Sequence, residues 1–308
     1  MLAVSQTDRR STLPFVFPRL LFLEFGLQMV PIQAKRDARS PNDNDWGNNM
    51  DARKKTADLP GGPLTYRETG AGDVIVFLHG LAGNSLSWVG QFERFSRDHR
   101  CIAWDAPGYG GSALVEADAD RFAETLAQLF DHCAVEKATL VGHSMGGIVA
   151  ARFAGRHPDR VERLVLSCTH WGGCQPKGSG LSDNYRERLQ TFDRGGPREY
   201  GLERAKNMLS PDAPADVFDL IAEIASRCNR DGVEAAARMI NETDNRDLLA
   251  ELNCPVSVLI GEVDPVVARE RTDDLAAAIP GARAIVISGA GHAPYLEKSA
   301  EFNAALAA

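Results

Sequence analysis

The stretch Ala138-Thr139-Leu140-Val141-Gly142-His143-Ser144-Met145-Gly146-Gly147-Ile148-Val149 decides the fold. Residues 138–141 form an apolar run of strand length. Residues 147–156, just ahead of His157-Pro158, follow a helical pattern. Between the two lies G-x-S-x-G, Gly142-His143-Ser144-Met145-Gly146. A chain that turns from a buried strand into a helix within so few residues strains the backbone at the central one and turns the Ser144 hydroxyl into the open. Glycines two before and two after leave space for neighbouring elements to approach. The competing reading is a buried glycine-rich turn whose serine only caps the helix.

On either side the pattern alternates. Short apolar runs rich in β-branched residues recur at 74–78, 101–104, 163–167, 256–260 and 284–288, and 64–68 reads as a further strand before the turn at 69–73. Most of these runs are apolar on both faces, as strands buried between helix layers are. Helical patterns separate them: Phe122, Leu126, Leu129 and Phe130 fall on one face, and 272–279 stops at Pro280-Gly281. Strand-helix alternation of this kind predicts an α/β architecture with a doubly wound, mostly parallel sheet. One interval breaks the rhythm. After Ser167 no good strand appears until Val256; the loop at 172–180 leads instead into helical patterns at 185–192, 199–208, 214–228 and 232–240. A helical cap over one edge of the sheet accounts for them. The domain reading is therefore a core at 60–170 and 246–308, a cap at 171–245 and a leader at 1–59.

The leader has no steady period, and its part 40–49 is rich in Asn and Asp. Arg9 and Arg10 ahead of 14–31 imitate a signal peptide, but Pro18, Arg19 and Glu24 interrupt the apolar run and no small-residue cleavage site follows. The expectation is that 1–49 contributes nothing to fold or activity and precedes a second start at Met50. Composition narrows the function. The 308 residues are 44% hydrophobic and 25% charged, with 34 Lys+Arg against 42 Asp+Glu, a net charge of −8, which disfavours a nucleic-acid partner. No run of about 18 apolar residues is present to cross a membrane. Six cysteines without a C-x-x-C pair give no zinc or redox motif and point to a reducing, cytoplasmic setting.

A serine hydroxyl becomes a useful nucleophile only when a base takes its proton. Of seven histidines, His292 is the candidate, because Gly289-Ala290-Gly291-His292 follows the last strand and so emerges at the carboxyl end of the sheet, where ligands bind in open α/β folds. His132 and His157 read as surface or packing residues, and His143 as pointing away from the nucleophile. The base needs an orienter. Asp264, in Gly261-Glu262-Val263-Asp264-Pro265, also follows a strand; Glu262 competes, but its place beside the glycine gives it a supporting or solvent role. The chain order Ser144, Asp264, His292 is that expected of this architecture. Donors for an oxyanion are expected from the backbone N–H groups of Met145, at the helix start, and Leu81, in His79-Gly80-Leu81-Ala82-Gly83-Asn84 after the first buried strand. His79 reads as a brace for that loop.

Together these segments resemble the serine hydrolases of the α/β-hydrolase fold. The residues that carry the resemblance are His79-Gly80, Asp105-Ala106-Pro107-Gly108-Tyr109-Gly110-Gly111-Ser112, Gly142-His143-Ser144-Met145-Gly146-Gly147, Gly261-Glu262-Val263-Asp264, and Gly291-His292 followed by Pro294-Tyr295-Leu296-Glu297. The resemblance implies a Ser144/Asp264/His292 triad, an oxyanion hole from Leu81 and Met145, a helical cap inserted after the sixth strand, no cofactor and no metal. A serine at 144, where an aspartate would mark a dehalogenase or epoxide hydrolase, argues against both. Core and cap are similar to 3-oxoadipate enol-lactonase-like proteins, with Thr243-Asp244-Asn245-Arg246-Asp247 reminiscent of them, and to meta-cleavage-product hydrolases. The departure is His79-Gly80, the general hydrolase form. The function expected is hydrolysis of a small carboxylic ester or lactone by a monomer or homodimer. The alternatives are C–C hydrolysis of a ring-cleavage diketone and ligand binding without turnover. Arg186, Arg188, Arg204 and Arg246 are candidates to clamp a substrate carboxylate against the plainer reading of solvated helix-face charges, and Trp171, Leu81 and Phe218 are candidate apolar pocket walls.

Overall fold

Apolar residues on both faces of the central strands require a helix layer on each side, and the chain supplies two. The structure, a computed structural model, describes residues 53–308; the readings made for 1–49 and Met50 lie outside the described residues. The strands are β1 (Arg53–Leu59), β2 (Gly62–Thr69), β3 (Val74–Leu78), β4 (Arg100–Trp104), β5 (Ala138–His143), β6 (Val161–Ser167), β7 (Val256–Gly261) and β8 (Arg283–Ile287). The helices are α1 (Val89–Phe95), α2 (Ala119–His132), α3 (Met145–Arg156), α4 (Asp183–Met208), α5 (Ala215–Ser226), α6 (Arg230–Glu242), α7 (Arg246–Leu249), α8 (Arg269–Ala278), α9 (Pro294–Glu297) and α10 (Ser299–Ala307).

All eight strands form one sheet in the order β1-β2-β4-β3-β5-β6-β7-β8. From β3 to β8 they pair in parallel, while β2 runs antiparallel to β1 and β4. Alternate residues sort into two layers. Leu78, Leu140, Leu164 and Val258 pack under Phe122 and Phe130 of α2 and Ile148 and Phe153 of α3. Phe77, Val141, Val165 and Leu259 pack under Phe92 and Phe95 of α1 and Phe302 of α10. Each of these phenylalanines, fully buried, contributes about 1.5–3 kcal/mol.

The leader was expected to run to residue 59, and its last part is corrected by β1. Arg-Lys-Lys-Thr-Ala-Asp-Leu has no strand-like apolar pattern, and only Ala57 in it is buried. Backbone pairing makes it a strand, with Arg53 opposite Glu68 through to Leu59 opposite Gly62. Its lysines are the charges an exposed sheet edge carries against stray pairing. Counted with β1, the strand ending at Ser167 is the sixth, and the insertion after it holds α4, α5 and α6 with no strand. α4 is two arms joined at Gly196, where φ is 70°, followed by Pro197; the arms match the two helical patterns read at 185–192 and 199–208, and Phe192 stacks on Tyr200 across the joint with ring centroids 4.1 Å apart. Among the described residues no helix is long and apolar enough to cross a membrane.

The sheet order also fixes where a site can form. The chain leaves β3 to one side for β4 and returns to its other side for β5, so the loops after β3 and β5 diverge at their carboxyl ends. Those loops carry Gly80-Leu81 and Ser144.

Candidate active site

Ser144 sits between β5 and α3 with φ 51° and ψ −115°, a region that costs a non-glycine residue about 1–3 kcal/mol. Its surroundings hold it there. Its N–H donates to the Ser167 carbonyl at 2.9 Å, and its own carbonyl accepts from Gly147 N–H at 2.9 Å and from Thr169 Oγ1 at 2.6 Å. The flanking glycines are required by space: a Cβ on Gly146 would lie 2.2 Å from the Leu78 carbonyl oxygen, and one on Gly142 2.4 Å from that of Gly146. No side-chain cap bond forms from Ser144 to α3, so the capping reading of this serine is set aside.

His292 is buried, and its Nδ1 lies 2.8 Å from Asp264 Oδ2. With the aspartate ionised, Nδ1 carries the proton and Nε2 is left as the basic nitrogen. Burial pushes the Asp264 carboxyl up, but His292 and the amides of Val266 and Val267 outweigh it and hold it below the ordinary range. Those amides donate to Asp264 Oδ1 at 2.7 and 3.0 Å. Glu262 lies at the surface, where its Oε2 accepts from Ser288 Oγ and Gly289 N–H, both at 2.7 Å; it braces the turn that leads to His292.

The loop around His292 is pinned at every backbone group. Its N–H donates to the Met208 carbonyl at 2.8 Å, and its carbonyl accepts from His143 Nε2 at 2.6 Å. On either side, Gly291 and Ala293 donate at 3.1 Å each to the buried Glu297 carboxylate, which also accepts from Ser210 N–H at 2.8 Å. Met208 and Ser210 lie at the end of α4, so Glu297 ties the histidine loop to the cap. In the sequence Glu297 stands out only as the end of Pro294-Tyr295-Leu296-Glu297. A carboxylate three residues past a proline carries no signal of the three amides it will meet.

His143 is engaged by the histidine loop, its Nε2 donating to the His292 carbonyl and its ring 4.8 Å from that of His292. Burial lowers its pKa to about 3, so it is a neutral ring. It packs against the loop after β3, where a Cβ on Gly80 would come within 2.7 Å of its Nδ1. His79 acts as a brace: its Nε2 accepts from Ala106 N–H at 2.9 Å, which leaves Nδ1 to donate to the Gly80 carbonyl at 2.8 Å. Leu81 gives its carbonyl to the Tyr109 hydroxyl, and among the described residues its N–H meets no acceptor. Met145 is the first residue of α3, so its N–H lies outside the helix ladder.

Ser144, His292, Gly80 and Leu81 line one cavity of about 440 Å³, mouth and open solvent included. Its apolar wall comes from Leu81, Met208, Ile221, Ile224 and Val266; Trp171 and Phe218, expected there, lie outside it. The four candidate arginines separate. Arg186 pairs with Asp183 and Arg246 with Asp244, both at the surface, whereas Arg188 and Arg204 line the cavity. Arg204 is only 6% exposed, and burial lowers its pKa to about 10, so it remains a cation at neutral pH. Cys168, Asp264 and His292 bring one donor atom each within 4.8 Å of one another. They do not fit a metal well: His292 Nδ1 and Asp264 are hydrogen-bonded to each other, and burial first, then Asp264, keeps the Cys168 thiol protonated.

The sequence profile described as the Alpha/beta hydrolase family matches residues 75–305. A pimeloyl-acyl-carrier-protein methyl ester esterase of Vibrio vulnificus is 32% identical over 254 residues, 78% of this chain and 94% of that one. Among solved structures, a thermophilic esterase from Thermogutta terrifontis in a malate-bound form is 28% identical with a TM-score of 0.74, covering 83% of this chain and 97% of that one. The enol-lactonase from Burkholderia xenovorans LB400, at 22% identity and a TM-score of 0.72 over 82% and 98% of the two chains, shares the fold.

Proposed function

The chain belongs to the alpha/beta hydrolase family and is a carboxylic ester hydrolase, and from that premise we propose that Ser144, His292 and Asp264 are its triad, with the N–H groups of Leu81 and Met145 as its oxyanion hole. The observation that carries this reading is the strained Ser144 lining one cavity with a histidine whose Nδ1 is held 2.8 Å from an aspartate whose side chain is 6% exposed. Ser144 Oγ attacks the ester carbonyl while His292 Nε2 takes its proton. Asp264 keeps the tautomer and stabilises the imidazolium. The two N–H groups hold the charge that develops on the carbonyl oxygen. The proton passes from His292 to the leaving alcohol, and water then cleaves the acyl-enzyme by the same route in reverse.

The substrate class we infer is a methyl ester of a small acyl group. The methyl ester esterase of Vibrio vulnificus supports it, as do the apolar side chains of Met208, Ile221 and Ile224 beside Ser144 in the cavity wall. The likeness to an enol-lactonase extends to the fold, so a lactone has less behind it. A screen of methyl esters, a lactone and a ring-cleavage diketone tests the reading. Turnover of the methyl esters, abolished by Ser144→Ala without change in thermal midpoint, is the expected result. Preference for the diketone, or turnover that survives in Ser144→Ala, overturns it.

A further inference from the structure

Arginine is almost never buried without a partner, because a desolvated cation needs an acceptor to replace water. Arg204 breaks that rule in the roof of the catalytic cavity. It is 6% exposed, its Nε is buried with no hydrogen-bond partner, and among the described residues no carboxylate pairs with it. The buried hydroxyl of Tyr200, one helical turn earlier, is also unpartnered. Arg188, on the other arm of α4, lines the same cavity; its Nε donates to Asn184 Oδ1 at 3.1 Å, and its guanidinium lies over the Tyr185 ring. The cavity wall that holds Ser144 and His292 includes no aspartate or glutamate. Arg188 and Arg204 also line a second hollow together with Glu187 and Glu203, but among the described residues neither glutamate forms an ion pair with them, and Glu203 accepts from Thr191 Oγ1 at 3.0 Å. The unanswered positive charge therefore borders the space in which the ester sits.

We propose that Arg204, with Arg188 beside it, forms a carboxylate-binding subsite in the roof of the catalytic cavity, so that the preferred substrate is a mono-ester of a dicarboxylic acid. The guanidinium fork matches the two oxygens of a carboxylate, and the apolar side chains of Met208, Ile221 and Ile224 suit the methylene chain between carboxylate and ester. A methyl alcohol has no room for a charge, so the carboxylate lies on the acyl side. The proposal rests on the ester-hydrolase reading above and names the substrate of that same site.

The test compares monomethyl adipate with the neutral methyl hexanoate in the parent, Arg204→Met and Arg186→Met. The parent is expected to favour the charged ester in kcat/KM by roughly 10- to 100-fold, the range of a hydrogen bond to a charged group. In Arg204→Met that ratio collapses towards one, with the loss carried by KM. Arg186→Met, an exposed and paired arginine on the same helix, keeps the parent ratio. Arg204→Met should also melt no lower than the parent, since it removes a buried charge that nothing compensates. A second arm needs no turnover: adipate titrated into Ser144→Ala should bind, and should bind far more weakly once Arg204→Met is added. If no ester is hydrolysed but this binding pattern holds, the ester-hydrolase reading fails and the subsite stands. Equal rates on the two esters in the parent, tighter binding of inorganic phosphate than of adipate, or a large drop in melting temperature for Arg204→Met overturns the subsite.

Discussion

The floor and roof of the cavity are built by different rules. The floor comes from the core loops after β3, β5 and β8, where backbone meets backbone so closely that a methyl group on Gly142 or Gly146 has no space. Its hydrogen bonds run between neighbours fixed by the sheet: Ser144 to Ser167, His292 to Asp264, His143 to the His292 carbonyl. The roof comes from α4 and α5, where side chains such as Met208, Ile221 and Ile224 do the lining and, among the described residues, Arg204 Nε has no hydrogen-bond partner. A floor of this kind fixes one chemistry and tolerates no change. A roof of side chains can be altered while the floor keeps its backbone contacts, so the proposed subsite assigns the choice of substrate to the roof.

Glu297 is the sharpest place to break that division, because it joins the two. Its carboxylate holds the amides of Gly291 and Ala293 on the floor and that of Ser210 at the end of the roof helix. Glu297→Gln turns one acceptor into a donor that faces these N–H groups and shifts His292. Steady-state kinetics should show kcat lowered about 10- to 100-fold, the effect of misplacing a reacting group by around 1 Å, with KM changed little. A loss confined to KM would mean that the clamp serves the roof alone.

A smaller effect separates floor from roof by pH. His143 is buried and neutral, its pKa lowered to about 3, whereas the unfolded chain's histidine titrates near 6.5. Between those values the unfolded state binds more protons, so stability falls as pH drops below about 6.5, by about 1.4 kcal/mol per pH unit for this residue. Thermal melts from pH 7 to pH 4 should therefore fall less steeply in His143→Gln, which keeps a donor for the His292 carbonyl. Arg204 keeps its charge throughout that range and adds no slope. Identical slopes in parent and variant would contradict the assignment of His143 as a neutral packing ring.

Most of the floor was legible in the sequence because its chemistry is local: a glycine-flanked serine between strand and helix, and an aspartate and a histidine each just past a strand. The parallel sheet was legible for a similar reason, since β5, β6 and β7 are apolar on both faces. β1 was not, because an edge strand held by backbone pairing needs no apolar pattern, and Arg53–Leu59 has none. Nor was the sorting of the arginines. Arg186 and Arg188 differ by two positions on one helix, yet one is exposed and the other faces the cavity, and Arg204 comes to join it only because α4 bends at Gly196. Helical periodicity gives relative faces, not which face is turned inward after a bend. Glu297 was invisible for want of a pattern, since its partners are backbone amides.

The central claim is that Ser144 is made nucleophilic by His292 under the control of Asp264. Modification by a fluorophosphonate, followed by peptide mass mapping and timed in the parent and in Asp264→Asn, tests it most directly. One adduct per chain, on Ser144, forming on the order of 10⁴-fold more slowly in Asp264→Asn because the imidazole then holds the wrong tautomer, is the result the account predicts. An adduct on any other residue, or equal rates of modification in the two proteins, would contradict it.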